Sequence, residues 1–516
     1  MKKFLYFTVF ASGMTTLAVE LSASRLIGSV FGTSNLVWAA IIGLILIYLT
    51  LGYYFGGRLA DKSPNYKTMY LILAWGAFLV GVVPYIAKPV LKFAADAFDG
   101  LQIGILAGSF IVVLVLFSIP ITLLGMISPF AIRLSIDDPK KAGDVSGKIY
   151  ATSTLGSFLG TFLPVLFLIP MIGTTKTFLV FSLFLLFIAL VGLLRSVGLK
   201  STVPYFLFVG ILLFLSVTVG NSTLKDSKGQ IFERESAYNY IQVLDRNGYF
   251  YLRLNEGQGV HSIYKHGVYD FGGPWQQFLV APFFSENNSP RDIKRIAIIG
   301  LAAGTVARQA TRVFPDVAID GYELDPEIIS VGKEYFGLNL PNLNIFVEDG
   351  RAGLQRSPYK YEMIGVDAYQ PPYIPWHMTT SEFFQIVFDH LTDDGALAIN
   401  VGRAPEDRRL IEGLFSTISY IFPSVYVMDI PNTFNSVIYA TRNTTTEEGL
   451  HKNMIHFSTD SEIDQLLTIS MYETWKNLQS NPPSTIIYTD DKAPIEWITN
   501  NMVLKYILLG EKDLLQ

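Results

Sequence analysis

KRIAIIGLAAGTVARQA, residues 294–310, decides the fold. Its apolar run at 296–299 reads as a buried strand, Gly300 and Gly304 bracket a turn, and the residues after Gly304 start a helix. Downstream, VAIDGYELDPEII (317–329) gives a second strand that ends on the acid Glu323. NIFVEDGRAGL (344–354) gives a third, and YEMIGVDAY (361–369) a fourth that ends on Asp367. Strands and helices alternating in this way build a doubly wound parallel sheet. Such sheets bind ligands outside the carboxyl ends of their strands, where the strand order reverses.

Glu323 follows Gly300 by 23 residues, the position from which a carboxylate accepts hydrogen bonds from both hydroxyls of a ribose. Asp349-Gly350 closes the third strand, where a carboxylate beside a tight turn can take an adenine amino proton. Each acid has a plainer alternative: a surface carboxylate near a helix start for Glu323, a helix cap for Asp349.

Upstream, the chain changes character. ESAYNYIQVLDRNGYFYLRL (235–254) alternates apolar and polar residues and turns at Asn247-Gly248, a strong hairpin signal. Before it, apolar runs recur at 4–31, 36–54, 69–86, 103–127, 153–172, 178–194 and 204–219, each near the length that crosses a bilayer. Charge is nearly absent from Gly156 to Leu194, where Lys176 stands alone. The short basic start resembles a signal peptide, but similar runs keep returning and Glu20 interrupts the first, so residues 4–30 are expected to stay as an anchor. Pro120 and Pro164 should kink their helices, and the small residues of TSTLGSFLG (152–160) should allow close helix packing. Glu20 and Arg25, within or at the edge of the first span, mark either a functional group or a paired structural carboxylate.

Lys2, Lys3, Arg58, Lys62, Lys67, Arg133, Lys140, Lys141, Lys148, Arg195 and Lys200 fall on one side of these spans, against Lys88, Lys92 and Lys176 on the other. The amino terminus should therefore be cytoplasmic, and seven spans would put the carboxyl-terminal domain outside. Nucleoside cofactors are cytosolic, so either a span is miscounted or the domain works outside.

The net charge of −5, with no basic tract interleaved with aromatics, gives no case for nucleic acid. Zero cysteines exclude disulfides, thiol nucleophiles and thiolate metal sites, and six scattered histidines lack ligand spacing, so no metal is expected. The expected architecture is a multi-pass α-helical membrane domain at 1–222 and a small β subdomain at 223–285. A Rossmann-like α/β domain of the S-adenosylmethionine methyltransferase type follows at 286–450, then a mixed segment at 451–516.

Several of these motifs together resemble the spermidine synthase (polyamine aminopropyltransferase) family, in its membrane-fused bacterial branch, over about residues 230–440. SPFAIRL (128–134), GKIYATSTLGSFLGTFLP (147–164) and the late TDDKAPIE (489–496) are similar to the fused branch, while GYYFGGRLADK (52–62) resembles the loop between helices two and three of major-facilitator transporters. The resemblance implies transfer of aminopropyl from decarboxylated S-adenosylmethionine to putrescine or another polyamine. It implies Gln242 and the Gly300–Gly304 turn on the nucleoside, Glu323 on ribose, Asp349-Gly350 on adenine, and Asp367 as catalytic base. Substrate-side positions would be Gln276, Gln277, Tyr369 and Gln370, with Tyr373, Trp376 and Trp275 as further walls and His377 organising the loop.

The departures lie on the acceptor side. Gln370 stands where the family has a second acid, Trp275-Gln276-Gln277 replaces its Tyr-His/Gln-Glu segment, and Leu301, Ala302 and Ala303 replace its glycine run. Two other classes stay open: a methyltransferase using S-adenosylmethionine on the same sheet, and a non-enzymatic polyamine- or nucleoside-binding membrane sensor or transporter. A bilayer partner is expected in every case, and a homodimer is compatible with each.

Overall fold

The computed structural model describes residues 2–31, 35–101, 105–219, 227–255, 259–286, 288–369, 374–404, 407–480, 482, 486–499 and 501–502. Gln370 and Tyr373 lie outside the described residues. The chain divides into two compact units, Met1–Asp226 with Glu233–Tyr240, and Ser227–Phe232 with Ile241–Gln516.

Among the described residues of the first unit, seven helical segments are long and apolar enough to cross a membrane: Lys2–Gly28, Val37–Lys62, Tyr66–Ala87, Gly108–Ser135, Pro139–Ile172, Thr174–Val197 and Leu199–Thr218. Small residues decide how two of them pack. A Cβ on Gly156 would lie 2.0 Å from the Phe10 carbonyl oxygen, and one on Gly160 would lie 2.0 Å from that of Met14. The first and fifth spans thus approach backbone to backbone, and the Ser157 hydroxyl donates to the Gly13 carbonyl at 3.2 Å. At Pro164 the helix Ala142–Leu163 gives way to a π-turn, Pro164–Leu168, because proline has no N–H to continue the ladder. Pro120 sits inside the helix Ile105–Gly125, and a new helix starts at Ile127. GYYFGGRLADK forms no loop: the helix Asn35–Lys62 runs through all of it. Glycines within a helix yield here because a Cβ on Gly52 or Gly56 would strike the backbone at Thr122 or Met126, so this stretch is a helix-packing face.

The described residues after the helical spans form two sheets. The smaller joins β1 (Gln230–Glu235), β2 (Tyr240–Arg246), β3 (Tyr249–Leu254) and β4 (Ser262–Tyr264) in that order. Asn247 (φ 57°) and Gly248 (φ 77°) make the two-residue left-handed turn that the twist of a hairpin favours.

The larger sheet contains β5 (Arg295–Ile299), β6 (Ala318–Glu323), β7 (Leu343–Val347), β8 (Tyr361–Val366), β9 (Leu391–Gly402), β10 (Ser424–Asp429), β11 (Asn435–Thr441) and β12 (Leu478–Gln479). Their order is β12-β10-β11-β9-β8-β5-β6-β7. β5 pairs in parallel with both β6 and β8, so the order reverses between β5 and β8. β11 runs antiparallel to β9 and β10. β5 from Ile296 and β8 from Met363 run apolar to their ends because helices cover both faces of the sheet. The segment after residue 450 adds β12 to the sheet edge and the helix Gln465–Lys476 to its core.

Candidate functional site

Gly300 (φ 85°) and Gly304 (φ 81°) both adopt left-handed backbone, which only glycine takes without strain. A Cβ on Gly300 would stand 2.5 Å from the carbonyl oxygen of Asp367, so the missing side chain is what lets the turn close on the end of β8. Between them Ala302 is also left-handed (φ 48°), a conformation that disfavours an L side chain. The turn is held from outside. Arg308, buried, donates to the carbonyls of Ala303 (2.8 Å), Phe336 (2.7 Å) and Ile263 (2.9 Å), and the Ser262 hydroxyl accepts the Ala303 N–H at 3.0 Å. The small sheet is thereby tied to the glycine turn.

Glu323 ends β6 beside this turn. One carboxylate oxygen accepts the Ala302 N–H at 2.9 Å and the other that of Asp325 at 3.1 Å. Desolvation nevertheless pushes its carboxyl up to about 7. The capping role belongs to its neighbour Asp325, whose side chain accepts from Glu327 N.

Asp349 does two things. One oxygen caps the helix Gly350–Arg356 through the Ala352 N–H at 2.9 Å, and the other meets His377 Nε2 at 3.0 Å. The hydrogen bond from His377 holds its carboxyl below the usual range. Gly350 is buried where a Cβ would meet Ile299 at 2.4 Å, so its part is to let this helix sit close to β5.

Asp367 follows the last residue of β8, its N–H donating to the Ile299 carbonyl at 2.8 Å. Desolvation pushes its carboxyl up to about 6, moderated by Asn400, whose side-chain amide donates to Oδ1 at 2.9 Å. Asn400 is buried, and its own oxygen has no hydrogen-bond partner among the described residues. The sequence reading missed it. Its signal was a lone amide in the apolar run GALAINV, placed by the pairing of Val366 with Ile399. Tyr369 packs beside Asp367 with its hydroxyl held protonated far above the usual tyrosine range by burial.

The other candidates are engaged elsewhere. Gln242 donates its amide to Gln230 at 2.6 Å and to Ser227 at 3.3 Å. Gln276 is buried, donating to Asp270 at 2.8 Å and accepting the Phe271 N–H at 3.2 Å. Gln277, also buried, donates to Glu473 at 2.9 Å and accepts the Thr474 hydroxyl at 2.9 Å. Two carboxylates, Asp270 and Glu473, therefore back the glutamines, the second from nearly 200 residues away, as the separation of 196 requires. Trp275 belongs to the core under the sheet, whereas Trp376 is exposed and edge-on to His377.

A doubly wound sheet with an acid at the end of β6, another at the end of β8 and a glycine turn between them defines a Rossmann-like α/β domain of the methyltransferase type. Within it, residues 282–451 match the spermine/spermidine synthase domain. A probable polyamine aminopropyl transferase of Bifidobacterium longum is 30% identical over 278 residues, covering 51% of this chain and 61% of that protein. The polyamine aminopropyltransferase of Vibrio vulnificus is 27% identical over 230 residues, 42% of this chain and 70% of that one. Among solved structures, a probable spermidine synthase from Corynebacterium glutamicum aligns at 18% identity with a TM-score of 0.39, over 46% of this chain and 89% of the other.

Proposed function

We propose that the α/β unit transfers an aminopropyl group from decarboxylated S-adenosylmethionine to an amine. The observation that carries this reading is the meeting of two raised carboxyls at the β5/β8 reversal, Glu323 beside the glycine turn and Asp367 against it. Glu323 takes the ribose hydroxyls and Asp349 the adenine amino group. A primary amine is mostly protonated at neutral pH and cannot attack until it loses a proton. Asp367, with its carboxyl near 6, accepts that proton directly or through a water. The freed nitrogen forms a bond to the aminopropyl carbon attached to the sulfonium. The carbon–sulfur bond breaks with its electron pair going to sulfur, and methylthioadenosine leaves. Alignment of nitrogen, carbon and sulfur supplies much of the acceleration. Asn400 steadies the base from the neighbouring strand.

The test is incubation of the purified full-length protein with each sulfonium donor and a panel of amines. Methylthioadenosine as product supports the proposal. Adenosylhomocysteine would make the chain a methyltransferase, and neither product with tight nucleoside binding would make it a sensor. The reading requires the α/β unit and its donor to share a compartment. A single cysteine introduced into this cysteine-free chain, probed with a membrane-impermeant maleimide, reads which one.

A further inference from the structure

The carboxyl-terminal TDDKAPIE stretch has no part in the chemistry above, yet it is wired to the nucleoside side of the cleft. Tyr488 is buried and its N–H donates to the Thr417 hydroxyl at 2.9 Å, while its carbonyl accepts the Ser381 N–H at 2.8 Å. A bridge between Thr489 and Lys492 then folds the chain back and leaves Asp490 at the tip. Asp490 takes both terminal nitrogens of Arg351, at 2.7 and 2.6 Å, and the Thr380 hydroxyl at 2.7 Å. Its own N–H donates to Glu382 at 3.1 Å.

Arg351 passes the constraint on. Besides gripping Asp490 it donates to the backbone carbonyl of His377 at 2.8 Å, which fixes where that residue sits. The His377 ring in turn meets the outer oxygen of Asp349 at 3.0 Å, while the inner oxygen is taken by the Ala352 N–H. The Asp349 carboxylate is thus oriented by a residue 141 positions away in sequence, through one bidentate ion pair, one backbone contact and one ring. The bidentate fork matters because it sets direction as well as charge.

We propose that Asp490 is a positioning residue of the nucleoside site, acting through Arg351 and His377 to aim the Asp349 carboxylate at the 6-amino group of the purine. This rests on the nucleoside reading above and adds a source of base selectivity to it. A carboxylate held as a pure acceptor welcomes a 6-amino donor and repels a 6-oxo group. Loosening it weakens the first contact and relieves the second.

The experiment is calorimetric binding of methylthioadenosine and methylthioinosine to the full-length protein and to Asp490→Asn, Asp490→Glu and Arg351→Lys. Asp490→Asn should lose about tenfold in methylthioadenosine affinity, the scale of one weakened charge-assisted hydrogen bond, while methylthioinosine affinity holds or rises. Arg351→Lys should do the same, because a point charge does not replace the fork. Asp490→Glu should recover part of the preference, which a purely structural role of the strap does not require. Undiminished adenine preference in a folded Asp490→Asn protein overturns the inference. Should the strap variants fail to fold, His377→Gln removes the ring and leaves the strap intact, and an unchanged preference there overturns it equally. Failure of the unaltered protein to bind either nucleoside is a different result: it sinks the nucleoside reading, and this inference with it.

Discussion

Binding of methylthioadenosine should strengthen as pH rises through about 7, and Glu323 should be the cause. Each of its carboxylate oxygens already accepts one backbone N–H, from Ala302 or Asp325, which leaves a remaining lone pair on each for a ribose hydroxyl. Desolvation holds the carboxyl up to about 7 in the ligand-free site. A proton bound there occupies one of the lone pairs the ribose needs, so affinity should fall about tenfold per pH unit below 7 and level off about one unit above it. The sign for stability is the reverse. A carboxyl raised above its unfolded value favours the ligand-free fold at low pH, and this contribution is lost as pH rises through the folded value of about 7. Glu323→Gln probes the same contact at fixed pH. With both oxygens facing backbone donors, a glutamine must turn its NH2 toward one of them and cannot serve both hydroxyls. Two charge-assisted hydrogen bonds of ~1.5–3 kcal/mol each, less rehydration of the hydroxyls, give a loss on the order of 2–4 kcal/mol. That corresponds to roughly 30- to 700-fold in affinity. Isothermal calorimetry of both proteins from acid to mildly alkaline buffer measures it. A flat pH profile for the unaltered protein, or full affinity in the variant, would mean that the ribose lies elsewhere.

Asp367→Asn should reduce turnover by about 10²- to 10⁴-fold, the usual reach of a general base, while methylthioadenosine binding persists. In the unaltered protein kcat/KM should climb with pH through about 6, because the ionised form is the base; normal turnover by the Asn variant removes Asp367 from that role. Gly300→Ala should destabilise the unit by more than about 2 kcal/mol, since it combines left-handed strain with a Cβ driven into the Asp367 backbone. Denaturant melts and turnover together test this, and a fully stable, active variant would show that the close approach is dispensable. On the acceptor side, Gln276 and Gln277 spend their amides on Asp270 and Glu473, and Gln370 brings no charge. A compact ammonium buried there would be poorly compensated, so putrescine should be a weaker acceptor than mono-amines in a competition assay, and Gln370→Asp should improve its use. Efficient putrescine use that Gln370→Asp leaves unchanged would refute that view of the pocket.

What the sequence disclosed was what neighbours along the chain determine. The strands around Asp367 were legible because a buried parallel strand needs an apolar run, and the acids that follow those runs must emerge at one edge of the sheet. The hairpin at Asn247-Gly248 was legible because few residue pairs tolerate its left-handed turn. Pairing across the fold was not. Asn400 reaches Asp367 only because β8 and β9 align Val366 with Ile399, a register that neither strand announces. Glu473 on Gln277 and Asp490 on Arg351 join segments 196 and 139 residues apart. GYYFGGRLADK, which resembles a transporter loop, misled for a related reason: only the approach of another helix at Thr122 and Met126 explains its glycines.

Those hidden pairings have a consequence for the acceptor question. An acid at position 370, three residues along the chain from Asp367, would supply the counter-charge that a diamine's far ammonium lacks, but it would also be a like charge close in sequence to a base that must give up its proton to work. Here the acids Asp270 and Glu473 each accept one N–H from a glutamine amide. The Asp367 carboxyl is raised by desolvation and lowered by one amide, that of Asn400. Replacing Gln370 by Asp should therefore act twice: it should draw a diamine in, and it should raise the Asp367 carboxyl further by like-charge repulsion. A gain in putrescine use accompanied by an upward shift of the acid limb in kcat/KM would bear out both effects. A gain with no shift would place residue 370 too far from the base to share its field.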